Sequence, residues 1–361
     1  MISFGLLTLN TKVEHLYFTE LARKAAKHSM NVFRFSPEHI NPKTEQVHGE
    51  KFNSKTGSWE KAIYPIPQCL YDRCFYPTKE QQKKYYPIIN WLKNRPDLTF
   101  IGHGLPNKWS IYEVLSSDPL LTYYIPKTRK VNSVDDIFHY LKKHKKALLK
   151  PENGSQGKGI IALTHLNESI ELHSQQNNKN VNKVFANKAP LYQWLKKLIS
   201  SHSYLMQPFL ALQDSDGHAF DIRVLVQKKP NNQWAEIGRG IRKGGPGSII
   251  SNLHGGGSIC SYKDWIKQIE PHQRVLIEDE LRTIITSLPA SLEKKFGPLF
   301  EIGIDIGVAT DGTVWVLDAN SKPGYKTILQ SNPSVENHLY EAPLLYCKNL
   351  VLQRSASDGI I

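Results

Sequence analysis

The amino-acid sequence predicts a mixed α/β (α+β) fold built from more than one packed unit. Three observations support this prediction. Strand-like and helix-like segments alternate over residues 1–106, a glycine-rich turn follows a short apolar run near residue 150, and an Asp-Gly pair joins two apolar runs near residue 311. Alternation indicates a parallel sheet covered by helices, whereas close turns indicate antiparallel hairpins. The 361 residues suffice for two or three hydrophobic cores.

Residues 1–106 form the first predicted unit. The apolar runs Ile2–Leu9 and Val32–Phe35 are typical of buried strands, and Gln81–Lys93 has helical periodicity. The Pro, Gly and Asn residues between Pro37 and Gly57 predict irregular structure. A Gly-His-Gly-Leu-Pro sequence at Gly102–Pro106 then marks the junction with the rest of the chain.

After this junction the pattern becomes more strand-rich. Val134–His144 predicts a helix with Ser133 as its N-cap. The segments Tyr204–Gln207, Asp221–Gln227 and Trp234–Arg239 are predicted strands of one antiparallel region. The polar stretch 173–190, rich in Asn and Lys, predicts a surface insertion.

A strand predicted at Ala147–Lys150 ends in a lysine and leads into the glycine-rich turn. This turn contains Gly154, Ser155, Gln156, Gly157, Lys158 and Gly159. Glycines let backbone N–H groups approach an anion closely, and a lysine adds a point charge for phosphate. An apolar run follows instead of the helix of a P-loop, so we predict a β-hairpin flap over phosphates. The alternative is a purely structural hairpin.

The segment that turns at Asp311-Gly312 carries the second candidate site. Side chains alternate along a strand, so Asp318 and Asn320 share a face, and closure at this turn places Asp305 opposite Asp318. Two carboxylates and an amide oxygen are the hard ligands that suit Mg²⁺. Asp and Asn are poor strand formers, which favours a metal site over the alternative of two ordinary solvent-facing strands.

Polar residues in other apolar runs are weaker candidates. Asp221 and Arg223 share a strand face, and Arg239 and Arg242 follow along the chain. Arginines that converge on a cleft neutralise phosphate or orient a carboxylate, although a single arginine is more often a surface ion-pair partner. The segment Met206–Leu210 leaves an apolar strand and is a candidate adenine hinge.

Bulk composition excludes few functions. The net charge of +13, from 46 basic and 33 acidic residues, is spread along the chain, and no aromatic-basic stacking motif supports nucleic-acid binding. No apolar run reaches the length of about 18 residues that a transmembrane helix needs. Met1–Asn10 lacks a basic region and cleavage site, so we expect synthesis in the cytosol. The four scattered cysteines predict reduced thiols.

The order of these motifs resembles the ATP-grasp superfamily, and within it the endospore coat-associated YheC/YheD-type family, with a length that suits the YheC-like branch. The resemblance spans nearly the whole chain. The motifs that carry it are Leu70–Arg73, Lys108-Trp109, Leu149–Pro151 with the glycine turn, Phe220–Arg223, Gly303–Asp305 and Asn320–Pro323.

This resemblance implies an ATP-grasp fold with a Rossmann-like pre-ATP-grasp domain over residues 1–106, an ATP-grasp domain over 107–345 and a tail over 346–361. It also implies ATP and one or two Mg²⁺ ions as cofactors. The implied nucleotide-binding residues are Lys108, Lys150, the flap at 154–159, and the hinge Gln207, Pro208, Phe209 and Leu210. Arg223 and Arg239 are implied catalytic residues, and Asp305, Asp318 and Asn320 are implied metal ligands. Many relatives have Glu in place of Asp318, which leaves the number of metal ions open.

The resemblance further implies an ATP-dependent carboxylate–amine or carboxylate–thiol ligase that works through an acyl phosphate. The alternatives are a spore-associated nucleotide-binding protein with little or no catalysis and, with least support, a basic scaffold for acidic polymers. We expect a small-molecule or peptide acceptor, in a pocket where the first unit meets Gly255–Gly257. Other spore coat proteins are the further expected partners, and a coat location is expected from the family alone.

Overall fold

The computed structural model describes residues 1–76, 78–154, 157–176, 179–251, 253 and 256–357. Ser155 and Gln156 of the predicted flap, and Gly255 of the glycine run near the expected acceptor pocket, lie outside the described residues. The described strands form sheets of seven, six and five strands, here called the first, second and third sheets. Together with the helices between them, they confirm the predicted mixed α/β class.

The first sheet comprises β1 (Ile2–Leu7), β2 (Met30–Phe35), β3 (Ile40–Asn41), β4 (Gln46–Asn53), β5 (Ser58–Pro65), β6 (Cys69–Asp72) and β7 (Thr99–Ile101), with helices α1 (His15–Ala25) and α2 (Lys79–Lys93). Strands β2, β1, β6 and β7 are parallel neighbours, as predicted. The prediction of irregular structure between Pro37 and Gly57 is wrong, because β3 and β4 lie there. Strand β4 forms an antiparallel hairpin with β5, and its buried Val47 and Phe52 belong to two different core clusters.

The second sheet comprises β8 (Arg129–Lys130), β9 (Lys146–Pro151), β10 (Ile161–His165), β11 (Ile170–Gln176), β12 (Lys179–Phe185) and β13 (Tyr204–Gln207), with helices α3 (Lys108–Ser117), α4 (Val134–His144) and α5 (Lys188–Ser201) in the same stretch. Ser133 caps α4 with a full capping box, as predicted. Most of the stretch 173–190, predicted to be a surface insertion, lies in β11 and β12, and the side chains of β12 are mainly exposed at the edge of the sheet. The polar composition of this stretch reflects an edge hairpin with an exposed face.

The third sheet comprises β14 (Phe220–Lys228), β15 (Trp234–Lys243), β16 (Ser258–Ser261), β17 (Glu301–Val308) and β18 (Val314–Asn320), with helices α6 (Tyr262–Lys267), α7 (Pro271–Phe296), α8 (Lys326–Ser331) and α9 (Glu336–Ser357). Its strand order is β16-β15-β14-β17-β18. The Tyr204–Gln207 strand therefore does not share a sheet with the two strands that were predicted beside it. The hairpin predicted at Asp311-Gly312 is confirmed as the connection between β17 and β18.

Helix α7 covers one face of the third sheet. Its buried Leu281, Ile284 and Leu288 belong to the same core cluster as Ile222 and Val224 of β14. Because side chains alternate along a strand, the odd-numbered residues of β14 point to the opposite face. That opposite face, part of which packs against α8 and α9, is the one that carries the candidate site.

Helix α9 packs against α1, β6 and β7 and returns the end of the described chain to the first sheet. The structure joins Cys347 of α9 to Cys69 of β6 by a disulfide bond, with Cα atoms 6.4 Å apart. The prediction of reduced thiols is therefore wrong for this pair, while Cys74 and Cys260 are free. The two bonded cysteines are 278 residues apart, so only the packing of α9 reveals that they meet.

The described helices include none that is both long enough and apolar enough to cross a lipid bilayer.

Peptide mapping without reductant should recover a Cys69–Cys347 cross-link. Cys347→Ala should lower the free energy of unfolding by about 2–4 kcal/mol, because a long loop is no longer closed in the unfolded chain. Urea denaturation without reductant measures this, with Cys260→Ala, at a free cysteine, as the control that changes stability little. Free thiols at both Cys69 and Cys347 in protein purified without reductant would contradict the pairing.

Candidate functional site

The candidate metal ligands lie on paired strands. Asp305 of β17 is directly opposite Asp318 of β18, as predicted, and Gly303 is opposite Asn320. The register then shifts between Asp305 and Ile306, because Ile306 pairs with Val316. Leu317 is thereby left as the extra residue of a β-bulge, with a backbone carbonyl free to accept a bond from elsewhere.

Lys150 of β9 makes use of this carbonyl. Its Nζ donates a hydrogen bond to Leu317 O over 3.2 Å, which joins the second sheet to the β17–β18 hairpin. Lys108, at the first turn of α3, forms an ion pair with Asp318. Two lysines and two aspartates from three separate parts of the chain therefore share one crevice, which confirms the predicted proximity of Lys150 to the hairpin. Burial lowers the pKa of Lys150 to about 8, although Asp318 acts in the opposite direction.

Two arginines hold the carboxylate of Asp305. Arg223 Nη2 donates to Asp305 Oδ2 over 3.0 Å, and Arg242 Nη2 lies 2.9 Å from the same oxygen. Burial favours the neutral acid, but Arg223 and Arg242 outweigh it and hold the pKa of Asp305 below its ordinary value. Arg242 also forms two hydrogen bonds with Asp221, of 2.7 and 2.6 Å. Burial raises the pKa of Asp221, against the effect of Arg242.

Arg239 lies elsewhere. It pairs with Val224 in the sheet, and Val224 points into the core beneath α7. Its guanidinium forms hydrogen bonds of 2.6 and 2.5 Å with Glu236 and lies 4.8 Å from the centre of the Tyr262 ring. The structure therefore brings Arg242, and not Arg239, to Asp305.

The sequence analysis named Arg242 among the weaker candidate arginines but selected Arg223 and Arg239 as the catalytic residues. The feature that distinguishes Arg242 is its pairing opposite Asp221, and this pairing depends on where the β14–β15 hairpin closes. A register shift lies between Leu225 and Val226, so alternation counted from Arg223 through the turn does not identify the correct arginine.

The predicted hinge starts at the end of β13. Gln207 pairs with Leu148 of β9, and its buried Nε2 donates to Thr128 Oγ1 over 2.6 Å. Pro208, Phe209 and Leu210 follow as irregular chain. A narrow cleft runs from Gln207 to Lys150 and is lined by apolar side chains, among them Ile125, Leu205 and Val316.

The glycine-rich turn connects β9 to β10. Gly154, Gly157 and Gly159 all have positive φ values, of 130°, 68° and 79°, which L side chains rarely adopt. Exposed Lys158 lies between the last two. Gly154 lines a polar cavity of about 210 Å³ together with Asn107, Lys108, Asn153, Asp318 and Asn320. The described part of the turn therefore borders the same crevice as the hairpin.

The family described as YheC/D-like ATP-grasp matches residues 97–350 of this sequence. The chain belongs to the YheC/D-like ATP-grasp family. The match covers the second and third sheets, the glycine-rich turn and every charged residue of the crevice.

Two curated relatives of this YheC/D-like ATP-grasp chain come from Bacillus subtilis (strain 168). The endospore coat-associated protein YheC is 36% identical over 355 residues, which are 98% of each chain. The endospore coat-associated protein YheD is 25% identical over 315 residues, which are 87% of this chain and 69% of the relative.

Solved structures share the fold at low sequence identity. D-cycloserine synthetase DcsG has a TM-score of 0.56 at 12% identity, with 98% of this chain and 99% of that chain covered. The ATP-grasp ligase PsnB, complexed with a minimal precursor, has a TM-score of 0.56 at 12% identity, with 96% and 100% covered. A RiPP-associated ATP-grasp ligase of Chryseobacterium gregarium, in complex with ADP and leader and core peptides, has a TM-score of 0.52 at 13% identity, with 94% and 96% covered. Together with the family match, these likenesses confirm the ATP-grasp fold.

Lys150→Met should stabilise the ligand-free protein near neutral pH. The folded-state pKa of Lys150, about 8, is below that of an unfolded lysine. The buried charge of Lys150 therefore destabilises the folded protein fully below pH 8, and this effect disappears as the pH rises towards the ordinary lysine pKa. We expect the free energy of unfolding at pH 7 to increase by ~2 kcal/mol, and the gain to shrink towards pH 10. Urea denaturation at both pH values measures this.

Lys108→Met is the matched control for that comparison. It removes a partly exposed lysine that is the ion-pair partner of Asp318, so it should not stabilise the protein. Equal unfolding free energies for the wild type and Lys150→Met at pH 7 would contradict the account of Lys150.

Proposed function

We propose that this chain binds Mg-ATP in the crevice between β9 and the β17–β18 hairpin and uses it as an ATP-dependent ligase. The observation that carries the proposal is the convergence of Lys108, Lys150, Asp305 and Asp318 beside an apolar cleft and a glycine-rich turn. Cationic side chains suit the phosphates, the carboxylates suit a divalent cation, and the apolar cleft suits a purine base.

In this proposal the adenine enters the cleft between Ile125, Leu205 and Val316, beside the hinge Gln207–Leu210. Backbone groups of an irregular segment after a strand are suited to hydrogen-bond the base. Lys150 and Lys108 contact the phosphates, and the turn over 154–159 covers them. Lys150 gains a phosphate partner on binding, which offsets the unfavourable burial of its charge.

The donor set at the hairpin fits a magnesium ion. Asp305 and Asp318 present carboxylates from directly opposed places, and the Asn320 amide forms no hydrogen bond with any described residue, so its oxygen is free to ligate. In the free protein Lys108, Arg223 and Arg242 pair with these carboxylates, so the three cations would shift towards the phosphates as an ion binds. One or two ions held by these residues would neutralise phosphate charge and orient the terminal phosphate.

Arg223 and Arg242 are the proposed catalytic cations, with Arg242 replacing the Arg239 of the sequence-based prediction. A substrate carboxylate oxygen attacks the terminal phosphorus of ATP, ADP leaves, and an acyl phosphate forms. An amine or thiol then attacks the acyl carbon, phosphate leaves, and the nucleophile loses its proton to the released phosphate or to water. The two guanidinium groups neutralise the oxygens that carry the developing charge, while Asp221 holds Arg242 in place.

The names of the relatives support a further part of the proposal. Because YheC and YheD of Bacillus subtilis are endospore coat-associated proteins, we propose that this chain is made in the cytoplasm, associates with the spore coat and has other coat proteins as partners. Its acceptor would be a small molecule or peptide. We also propose the division into a pre-ATP-grasp domain over 1–106, an ATP-grasp domain over 107–345 and a tail over 346–361. The alternative function is a coat-associated nucleotide-binding protein with little or no catalysis.

Mg-ATP should stabilise the protein against unfolding. At about 100 times its Kd, a ligand that binds only the folded state adds roughly 2.7 kcal/mol. Asp305→Ala combined with Asn320→Ala should lose this gain, because two metal ligands are removed, while Arg239→Met should keep it. Thermal melting with and without Mg-ATP measures both. Identical melting of the wild type in the two conditions would contradict both nucleotide-binding proposals.

Turnover distinguishes the ligase from the alternative. ADP release should be screened against pools of amino acids, peptides and peptidoglycan precursors. With an acceptor in hand, Arg242→Met should lower kcat by about 100-fold, because a positioned charge on the transferred phosphoryl group is lost. Arg239→Met should leave kcat nearly unchanged. Tight Mg-ATP binding without ADP release in any pool would favour the alternative.

A further inference from the structure

A fully buried arginine connects the first sheet to β17 and to the segment that follows β18. Arg73 directly follows β6, and its side chain is 0% exposed. Its Nη1 donates to Glu301 Oε1 of β17 over 2.7 Å, and its Nη2 donates to the backbone oxygen of Pro323, beyond β18, over 3.2 Å. Nε and Nη2 also bond to Glu14 at the start of α1. One guanidinium therefore contacts three parts of the chain that are distant in sequence.

Glu301 has no acceptor capacity left for a ligand. Its Oε1 accepts from Arg73 and from the Tyr71 hydroxyl, the latter over 2.5 Å. Its Oε2 accepts from the Tyr325 hydroxyl over 2.7 Å and from Gln227 Nε2 over 3.0 Å. A carboxylate with this many short bonds is held in one orientation. It forms no hydrogen bond with the charged residues of the crevice and is joined to Asp305 by strand β17.

The hairpin needs such support because its strand pairing stops early. The last pair of β17 and β18 is Gly303 with Asn320, so the chain beyond Asn320 leaves the sheet at the proposed metal ligand. Pro323 then folds back against Gly303, where an added Cβ would lie only 2.7 Å from Pro323 Cβ. The Pro323–Arg73–Glu301 bonds take the place of the missing strand pairs.

Two further contacts from the first unit hold the same exit segment. Ser321 Oγ accepts from Leu105 N over 2.8 Å. Lys322 Nζ lies 2.8 Å from Asp72. Three consecutive residues after Asn320 are therefore attached to the part of the chain before residue 106.

Resting on the proposed function, we propose that Arg73 is a positioning residue for the metal site. By fixing Glu301, four residues before Asp305, and Pro323, three residues after Asn320, it sets the separation of the two ligands. The adenine cleft contains neither Arg73 nor its partners, because its walls come from α3, residues 125–128, the second sheet and the part of β18 before Asn320. Loss of Arg73 should therefore weaken the metal-dependent part of nucleotide binding and spare the metal-independent part.

The test compares the affinity for ADP with Mn²⁺ and with EDTA by isothermal titration calorimetry. The variant is Arg73→Met with Glu301→Met, because replacing both members of a buried ion pair often preserves folding. Glu14, the other partner of Arg73, is partly exposed and keeps access to water. We expect the Mn²⁺-dependent gain in ADP affinity to fall at least tenfold, and the affinity in EDTA to stay within twofold of the wild type.

The matched control is Arg34→Met with Glu50→Met. This pair, 2.7 Å apart, joins β2 to β4 in the first sheet and makes no bond to the β17–β18 hairpin. It should keep the full Mn²⁺-dependent gain. An equal loss in this control, or a full gain in the Arg73–Glu301 variant, would overturn the positioning role. A wild type that binds no ADP in either condition would instead overturn the proposed function.

Tyr325→Phe is the second variant if the double variant does not fold. It removes one donor to Glu301 and adds no unpaired charge. We expect about a threefold loss of the Mn²⁺-dependent gain, again with unchanged affinity in EDTA. An unchanged gain in a folded Tyr325→Phe variant would also overturn the proposal.

Discussion

The contact between Lys150 and the carbonyl of Leu317 is the interaction on which the site depends. It exists because β18 has a bulge at Leu317, which withdraws one carbonyl from the strand ladder and turns it towards the second sheet. The same bulge lies next to the Asp305–Asp318 pair. A change in register at this point would therefore separate the two aspartates and also remove the acceptor of the buried lysine.

Electrostatics then explains why the charged crevice is stable without a ligand. Asp305 is held by Arg223 and Arg242, Asp318 by Lys108, and Asp221 by Arg242, so each carboxylate has a cationic partner. Buried charges are tolerated when they are paired and hydrogen-bonded. Binding of a metal–phosphate complex would exchange these partners, since the cations would move to phosphate oxygens and the carboxylates to the metal. In the free protein these cations therefore hold the carboxylates in the places that a metal ion would take in the bound state.

The sequence was sufficient for the local parts of this account. The Asp-Gly turn predicted the β17–β18 hairpin and, through side-chain alternation, the facing of Asp305 and Asp318. The lysine before the glycine-rich turn predicted the second half of the crevice. Arg242 was not selected over Arg239 because its place depends on a bulge that no local pattern reveals. The Arg73–Glu301 contact and the Cys69–Cys347 bond could not be predicted, because each joins segments more than 200 residues apart.

The most direct test of the central claim is a crystal structure of the protein with ADP and Mn²⁺, with the metal located by its anomalous scattering. The account predicts a peak about 2.2 Å from oxygens of Asp305, Asp318 and Asn320, with Lys150 on the ADP phosphates. A peak at another acidic group, such as the turn that contains Asp214 and Asp216, with the nucleotide outside the crevice, would contradict it.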